Sequence, residues 1–488
     1  MNRTIKIFVR LAILIGVAAG IITMMKTEKK EIPTEGYIGR SEITVENGHM
    51  SPEALLAFGR LSDPQVSPDG KHIIYGVSYT STPENRSVRN LFICNIDGSD
   101  SQQLTFSGKS ISNARWQNDG SGIYLMMQGQ VWSCQLKNVK GRWELGDLNQ
   151  VTDVPGGISE FKMSPDEDKL MYSKYIKSSV KSPSDCYADL DKANAYTTDD
   201  LMYRHWDHTV MESPHTFVAL CNFQSGPVTE GKDILEGEKE LYELPTEPWS
   251  GLEQLAWSPD GNYIAYSCRK LAGKKYAFST DTEIYLYNIE TGQTEQIEMG
   301  GGYDTDPVWS PDGTKLCWIS MERDGYEADK QRLIVAEISM PELPSASGTE
   351  GCATTEGCAQ AEACAAMPKV EKIQDITVDF KYNVSSPVWA EDSKSIWFAS
   401  LAEGLQGIFR AYEDAESWDI ERITGEDMWY DFGSPFHVAE NENGTTTLYT
   451  TWCSMDFPTE LVAVTIGQDG KAETGKPAIK AECPVIAD

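Results

Sequence analysis

Val308-Trp309-Ser310-Pro311-Asp312-Gly313 runs into Lys315-Leu316-Cys317-Trp318, and the same phrase occurs twice more in the chain. Ala256-Trp257-Ser258-Pro259-Asp260-Gly261 precedes Asn262-Tyr263-Ile264-Ala265-Tyr266, and Val66-Ser67-Pro68-Asp69-Gly70 precedes Lys71-His72-Ile73-Ile74-Tyr75. Proline at the second turn position has the φ that the turn needs, and glycine closes it without steric cost. An apolar or aromatic residue enters the turn and an alternating, β-rich run leaves it, which is a hairpin signature. Degraded copies stand at Trp116-Gln117-Asn118-Asp119-Gly120, Met163-Ser164-Pro165-Asp166-Glu167 and Trp389-Ala390-Glu391-Asp392-Ser393. A faint seventh is Glu440-Asn441-Glu442-Asn443-Gly444.

Each hairpin is followed by a third strand-like run, such as Asn90 to Cys94 or Glu283 to Tyr287. A fourth follows a polar turn, as in Gln103-Leu104-Thr105 or Glu421-Arg422-Ile423-Thr424. Four strands per repeat is the blade of a β-propeller. The second residues of the turns fall at 68, 118, 165, 259, 311, 391 and 441. Four of the six gaps match a blade of about 40–50 residues, and the other two contain insertions. The expected fold is therefore all-β: a seven-bladed propeller of four-stranded blades over residues 50–488. One insertion, 177–212, lies between the second and third strands of blade 3. It lacks strand alternation and is expected to be partly helical. The other, 344–368, is a low-complexity loop carrying Cys352, Cys358 and Cys364 at six-residue spacing. That spacing is wider than the gap within paired zinc-binding cysteines, so it is read as a surface loop.

The chain has 488 residues, with 42 Lys+Arg against 74 Asp+Glu and a net charge of −32. Such a surface repels phosphate backbones, which argues against nucleic acid as a partner. Arg3, Lys6 and Arg10 precede an uncharged run from Leu11 to Met25. A basic segment followed by a short apolar one reads as an export signal or N-terminal membrane anchor over 1–26, with a polar tether over 27–49. The expected location is the periplasm or the outer face of the inner membrane. Eleven cysteines form no obvious disulfide framework. Cys94, Cys134, Cys221, Cys268, Cys317 and Cys453 sit in apolar strand-like runs and are expected to be small buried hydrophobes.

Ser51 to Gly70, a short helix started by Ser51 and Pro52 and leading into the first blade, resembles the start of the propeller in S9-family serine peptidases, the prolyl oligopeptidase clan. Asp199-Asp200-Leu201-Met202-Tyr203-Arg204-His205-Trp206-Asp207, with Pro214-His215-Thr216-Phe217-Val218, resembles the dipeptidyl peptidase 5 and acylaminoacyl peptidase branch. In that family an α/β-hydrolase domain with Ser, Asp and His follows the propeller. No Gly-x-Ser-x-Gly elbow occurs here: the glycines four apart, Gly16 and Gly20, flank Ala18. No catalytic residue is assigned, and the chain alone is expected to be inactive. The resemblance implies a substrate-gating, non-catalytic propeller, its hydrolase domain lost or encoded separately. Its partners would be peptide substrates or that domain. The turn motifs alone would equally suit a TolB-like periplasmic protein-binding scaffold.

The insertion carries the candidate site. In dipeptidyl peptidases a propeller insertion uses acidic side chains to hold the substrate's free amino terminus. Asp199, Asp200 and Asp207 offer carboxylates here, Tyr203 and Trp206 offer packing surface, and Arg204 lies among them. They are the residues expected to face substrate or partner. His205 and His208 would share one side of a helical turn, with Asp207 or His215 as a further metal ligand; a structural or substrate-facing role is preferred, and no metal or cofactor is assigned. Gly470 to Lys476 imitates a phosphate loop but is followed by Pro477 and is read as a polar end loop.

Overall fold

A computed structural model describes residues 32–486, except 42, 46–47, 200–202, 206–207, 222–224, 248–250, 342–365, 415–416, 425–429, 442, 468–471 and 475–484. The N-terminal segment assigned to export and the three cysteines of the low-complexity loop lie outside the described residues. Among those described, no helix is long and apolar enough to cross a membrane.

Seven antiparallel sheets follow one another along the chain, each built from consecutive strands. The second strands are His72–Ser81, Gly122–Met127, Lys169–Lys177, Tyr263–Cys268, Lys315–Ser320, Ser395–Ala402 and Thr446–Cys453. In the first and last sheets, as in the others, all strands come from one stretch of chain. The described ends of the chain also meet in a short parallel pair, Thr44–Val45 with Val485–Ile486.

Seven apolar clusters fill the seven seams between blades. Ile74, Leu91 and Ile93 of blade 1 meet Ile111, Ile123 and Leu125 of blade 2. Their neighbours Ile73, Tyr75 and Phe92 point the other way, to Leu461 of blade 7. Each blade is thus covered on both faces. This explains why the second strands do not alternate as expected: Gly122–Met127 and Tyr263–Cys268 are buried at every position, as strands sandwiched between layers must be. Cys268 and Cys317 in second strands, and Cys94 and Cys134 in third strands, are buried free thiols, while Cys221 and Cys453 are half-buried. Burial pushes the thiols of Cys94, Cys134 and Cys268 up to about 12, so they are inert at neutral pH.

The turn motif does more than reverse the chain. Ser310 Oγ donates to Asp312 Oδ1 at 2.7 Å and accepts from the Lys315 N–H at 2.9 Å. Ser67, Ser164 and Ser258 repeat this arrangement. Gly70, Gly261 and Gly313 adopt φ near +70° (69°, 68° and 72°), whereas the degraded copies force Glu167 and Ser393 to 58° and 55°. The tryptophan ahead of the turn ties blades together. Trp116, Trp257 and Trp389 donate Nε1–H to Gln65, Lys162 and Val308 O of the preceding blade, at 3.1, 3.4 and 3.0 Å. Trp309, in the same place, makes no such bond.

Four first strands carry a bulge at one position, four residues before the turn serine or its replacement. Asp63, Asn113, Asp306 and Ser386 have φ of 51°, 50°, 55° and 49° there. Two of them reach the next blade: Asp63 meets Arg115 Nη1 at 2.9 Å, and Asn113 Nδ2 donates to Phe161 O at 3.1 Å. Lys162 Nζ continues the ring by donating to Leu255 O at 2.7 Å. Burial, and then Arg115, pull this amine down to about 8.

Smaller departures have local causes. The fourth strand of blade 1 is only Gln102–Gln103, because Thr105 Oγ1 takes over, accepting from the Leu91 N–H at 2.8 Å. Ala472–Thr474, inside the imitation phosphate loop, is the outermost strand of blade 7 and pairs with Val464–Ile466. The described end of the low-complexity loop lies against the blades: Ala366 O accepts from Tyr263 Oη at 2.8 Å, and Met367 packs on the seam of blades 4 and 5.

Candidate functional site

The insertion leaves blade 3 after Lys177 and returns at Glu212, between the second and third strands as expected. Antiparallel order puts it at the end opposite the Ser-Pro-Asp-Gly turns. Its neck is closed by reciprocal bonds between Lys181 and Thr197, both 2.8 Å. Its helical content is one turn, Pro183–Cys186, capped by Ser182 with Asp185 reaching back to the Ser182 N–H. The remainder includes a small hairpin, Arg204–His205 with His208–Thr209. His205 and His208 are therefore cross-strand partners and not neighbours on a helix. His215 lies apart from them in the third strand of blade 3. It is buried, its Nδ1 is 2.6 Å from Asp233 Oδ2, and its Nε2 has no partner among the described residues. Asp199, Tyr203 and Arg204 are all exposed on the insertion. Asp200, Trp206 and Asp207 lie outside the described residues.

Beside the insertion, the segment from blade 3 to blade 4 forms a polar cluster that sequence reading missed. Thr216 Oγ1 donates to Leu244 O at 3.0 Å, and the Leu244 N–H donates to Pro214 O at 2.9 Å. This fastening buries Glu243, whose carboxylate accepts from Tyr276 Oη. Arg269 lies 4.6 Å above the Tyr276 ring. Burial raises the pKa of Glu243, with the Tyr276 bond opposing it. Tyr175 bonds Glu247, and Lys270 pairs with Glu238 while standing 4.1 Å from the Tyr285 ring centre. The partners come from separate loops, so only the tertiary fold brings them together.

At the same end, blades 4 and 5 hold Asp281, Glu283 and Asp304. Burial, then Asp281 and Asp304, push Glu283 up to about 7. Burial lifts Asp304 to about 6, against the opposing influence of nearby Ser320, Trp318 and the charge of Arg332. Both folded-state values exceed the unfolded values of about 4, so folding takes up protons. The stability tied to these protons is complete below about pH 4 and is lost as pH rises through 6 to 7. The melting temperature should accordingly rise as pH falls from 8 to 5. Below about pH 4 protonation of Asp69, held low by Ser67, works against this trend. Scanning calorimetry of Glu283→Gln should show a flatter slope between about pH 5 and 7; an unchanged slope would mean that another group carries the effect.

The exposed large apolar side chains are one-sided. Among the described residues all but Val139 and Leu220 lie at the end that bears the insertion. Tyr187 (65% exposed), Tyr196 and Tyr203 stand on the insertion, Phe278 (75%) on the blade 4 loop and Met455 on that of blade 7.

No family model matches the chain. It is 38% identical over 378 residues to dipeptidyl-peptidase 5 of Porphyromonas gingivalis, covering 77% of this chain and 48% of that protein. The chain is thus similar to the propeller portion of S9-family peptidases. Dipeptidyl-peptidase 5 of Porphyromonas endodontalis is 42% identical over 295 residues, 60% of this chain and 41% of the relative. The chain thus spans about half the length of the curated relatives it matches. The acylaminoacyl peptidase of Pyrococcus horikoshii shares the fold, with a TM-score of 0.53 at 14% identity, over 86% of this chain and 53% of that one. The S9 likeness read from the sequence holds, and so does the seven-bladed architecture.

Proposed function

We propose that this S9 propeller is the non-catalytic recognition and gating part of a dipeptidyl or acylaminoacyl peptidase. It would work against an α/β-hydrolase domain, in an exported protein of the periplasm or the outer face of the inner membrane. The observation that carries the reading is that all but two of the exposed large apolar side chains among the described residues lie at the insertion end. A hydrolase domain seated there would cover them and enclose the acidic groups beside them. Asp199, Asp200 and Asp207, with Tyr203, Arg204 and Trp206, would face the substrate amino terminus or that domain.

Two measurements test this. The purified chain should turn over no dipeptidyl or acyl-aminoacyl substrate and take up no serine-directed fluorophosphonate. The hydrolase half of the Porphyromonas gingivalis relative should bind it, and Tyr203→Ala with Phe278→Ala should weaken binding at least about tenfold without changing the melting temperature. Both side chains are at least half exposed, so a merely structural role predicts the reverse, a lower melting temperature with normal binding. Capture of envelope-assembly proteins on this face, with no hydrolase binding, would favour the TolB-like scaffold instead.

A further inference from the structure

At the opposite end, among the Ser-Pro-Asp-Gly turns, the seam between blades 3 and 4 opens into a cavity of about 440 Å³, within the range of small-molecule sites. Its walls include Val218 and Leu220 from blade 3 and Tyr263 and Tyr287 from blade 4. Leu220 is 74% exposed, one of the two large apolar side chains left bare at this end. The fourth strand of blade 3 explains the opening. It is only Lys232–Asp233, pairing with Phe217 and Val218 and stopping short of Leu220.

Two charges complete the lining. Lys232 crosses from blade 3 toward blade 4, with its ammonium 5.9 Å from the Tyr287 ring centre. A Cβ added at Gly292, where φ is +71°, would lie 2.6 Å from that nitrogen, so glycine there leaves room for the crossing. Glu290 lies on the turn that follows the third strand of blade 4. Neither Lys232 nor Glu290 forms an ion pair among the described residues, and both are exposed. The other charged walls are occupied: Lys169 pairs with Asp166 and Asp168, and Asp260 accepts from Ser258 and Asn262.

An unpaired cation and an unpaired anion beside two phenol rings and aliphatic walls complement one kind of ligand, a small zwitterion with apolar side chains. We propose that this cavity binds short unblocked peptides, the carboxylate on Lys232, the ammonium on Glu290 and the side chains against Tyr263, Tyr287 and Leu220. The proposal is independent of the peptidase reading, since it concerns the other end of the propeller and requires no hydrolase.

Isothermal titration of the full chain with the dipeptide Leu-Phe, its N-acetyl derivative and its C-terminal amide tests it. Leu-Phe should bind once, with Kd on the order of tens of micromolar for a ligand of this size. Each blocked form should bind at least about tenfold more weakly. Lys232→Met should abolish the preference for the free carboxylate while keeping that for the free amine, and Glu290→Gln should do the converse. Both positions are exposed, so the variants should melt like the parent. Absence of binding, equal binding of all three compounds, or preferences that survive both substitutions would overturn the assignment.

Discussion

Replacing Trp389 by alanine is expected to lower stability by about 3–5 kcal/mol, among the largest losses for a single side chain here. Trp389 is 7% exposed and fills the seam between blades 5 and 6, edge-on to Trp418 with ring centres 6.2 Å apart. Its Nε1–H also holds Val308 O of the preceding blade at 3.0 Å. Trp389→Phe separates the two contributions. It keeps most of the apolar volume and orphans a carbonyl, so a loss of roughly 1–3 kcal/mol is expected. Urea denaturation monitored by circular dichroism measures both. Equal losses for the two substitutions would show that the hydrogen bond, not packing, accounts for the effect. A negligible loss for phenylalanine would show that the inter-blade bond contributes nothing.

Leu461→Ala is the second large effect, at about 2–5 kcal/mol, and it probes how the ring closes. Leu461 of blade 7 is 1% exposed against Ile73, Tyr75 and Phe92 of blade 1. At four of the six other seams consecutive first strands are linked by polar bonds: Asp63 to Arg115, Asn113 to Phe161, Lys162 to Leu255 and Trp389 to Val308. Among the described residues no such bond joins the first strands of blades 7 and 1. No blade is shared between the two ends of the chain either. This seam therefore depends heavily on apolar packing. Limited proteolysis should cut Leu461→Ala first in blades 1 and 7, and cleavage spread evenly over the blades would argue that closure is not the weak point.

Much of the propeller was legible because its determinants are local. Ser-Pro-Asp-Gly encodes its own turn, through the proline φ, the glycine φ and a serine that bonds within five residues. Repetition then reveals blade number without long-range information. The bulges were equally local but went unread. Ser62-Asp63-Pro64, Ser112-Asn113-Ala114, Thr305-Asp306-Pro307 and Ser385-Ser386-Pro387 share a hydroxyl residue, a residue at positive φ and then proline or alanine. That recurrence was available as a signal.

The insertion shows where local reading ends. Its place between the second and third strands of blade 3 followed from the turn spacing, and its polarity from composition. Absence of alternation suggested helix, yet Arg204 to Thr209 pairs as a hairpin, because short polar strands carry no apolar period to read. Which side chains surround it was decided by tertiary structure alone. Glu243 and Tyr276 stand 33 residues apart and Tyr175 and Glu247 stand 72 apart, so their encounters depend on blades 3 and 4 docking side by side. The raised carboxyl pKa of Glu283 has the same origin, since burial and the approach of Asp281 and Asp304 are properties of the assembled seam. The sequence by itself determined the repeat, the blade count and the family likeness, all carried by contacts within a few residues. Only the folded ring decided which surface is apolar, which charges are left unpaired and where cavities open, because each depends on how neighbouring blades meet.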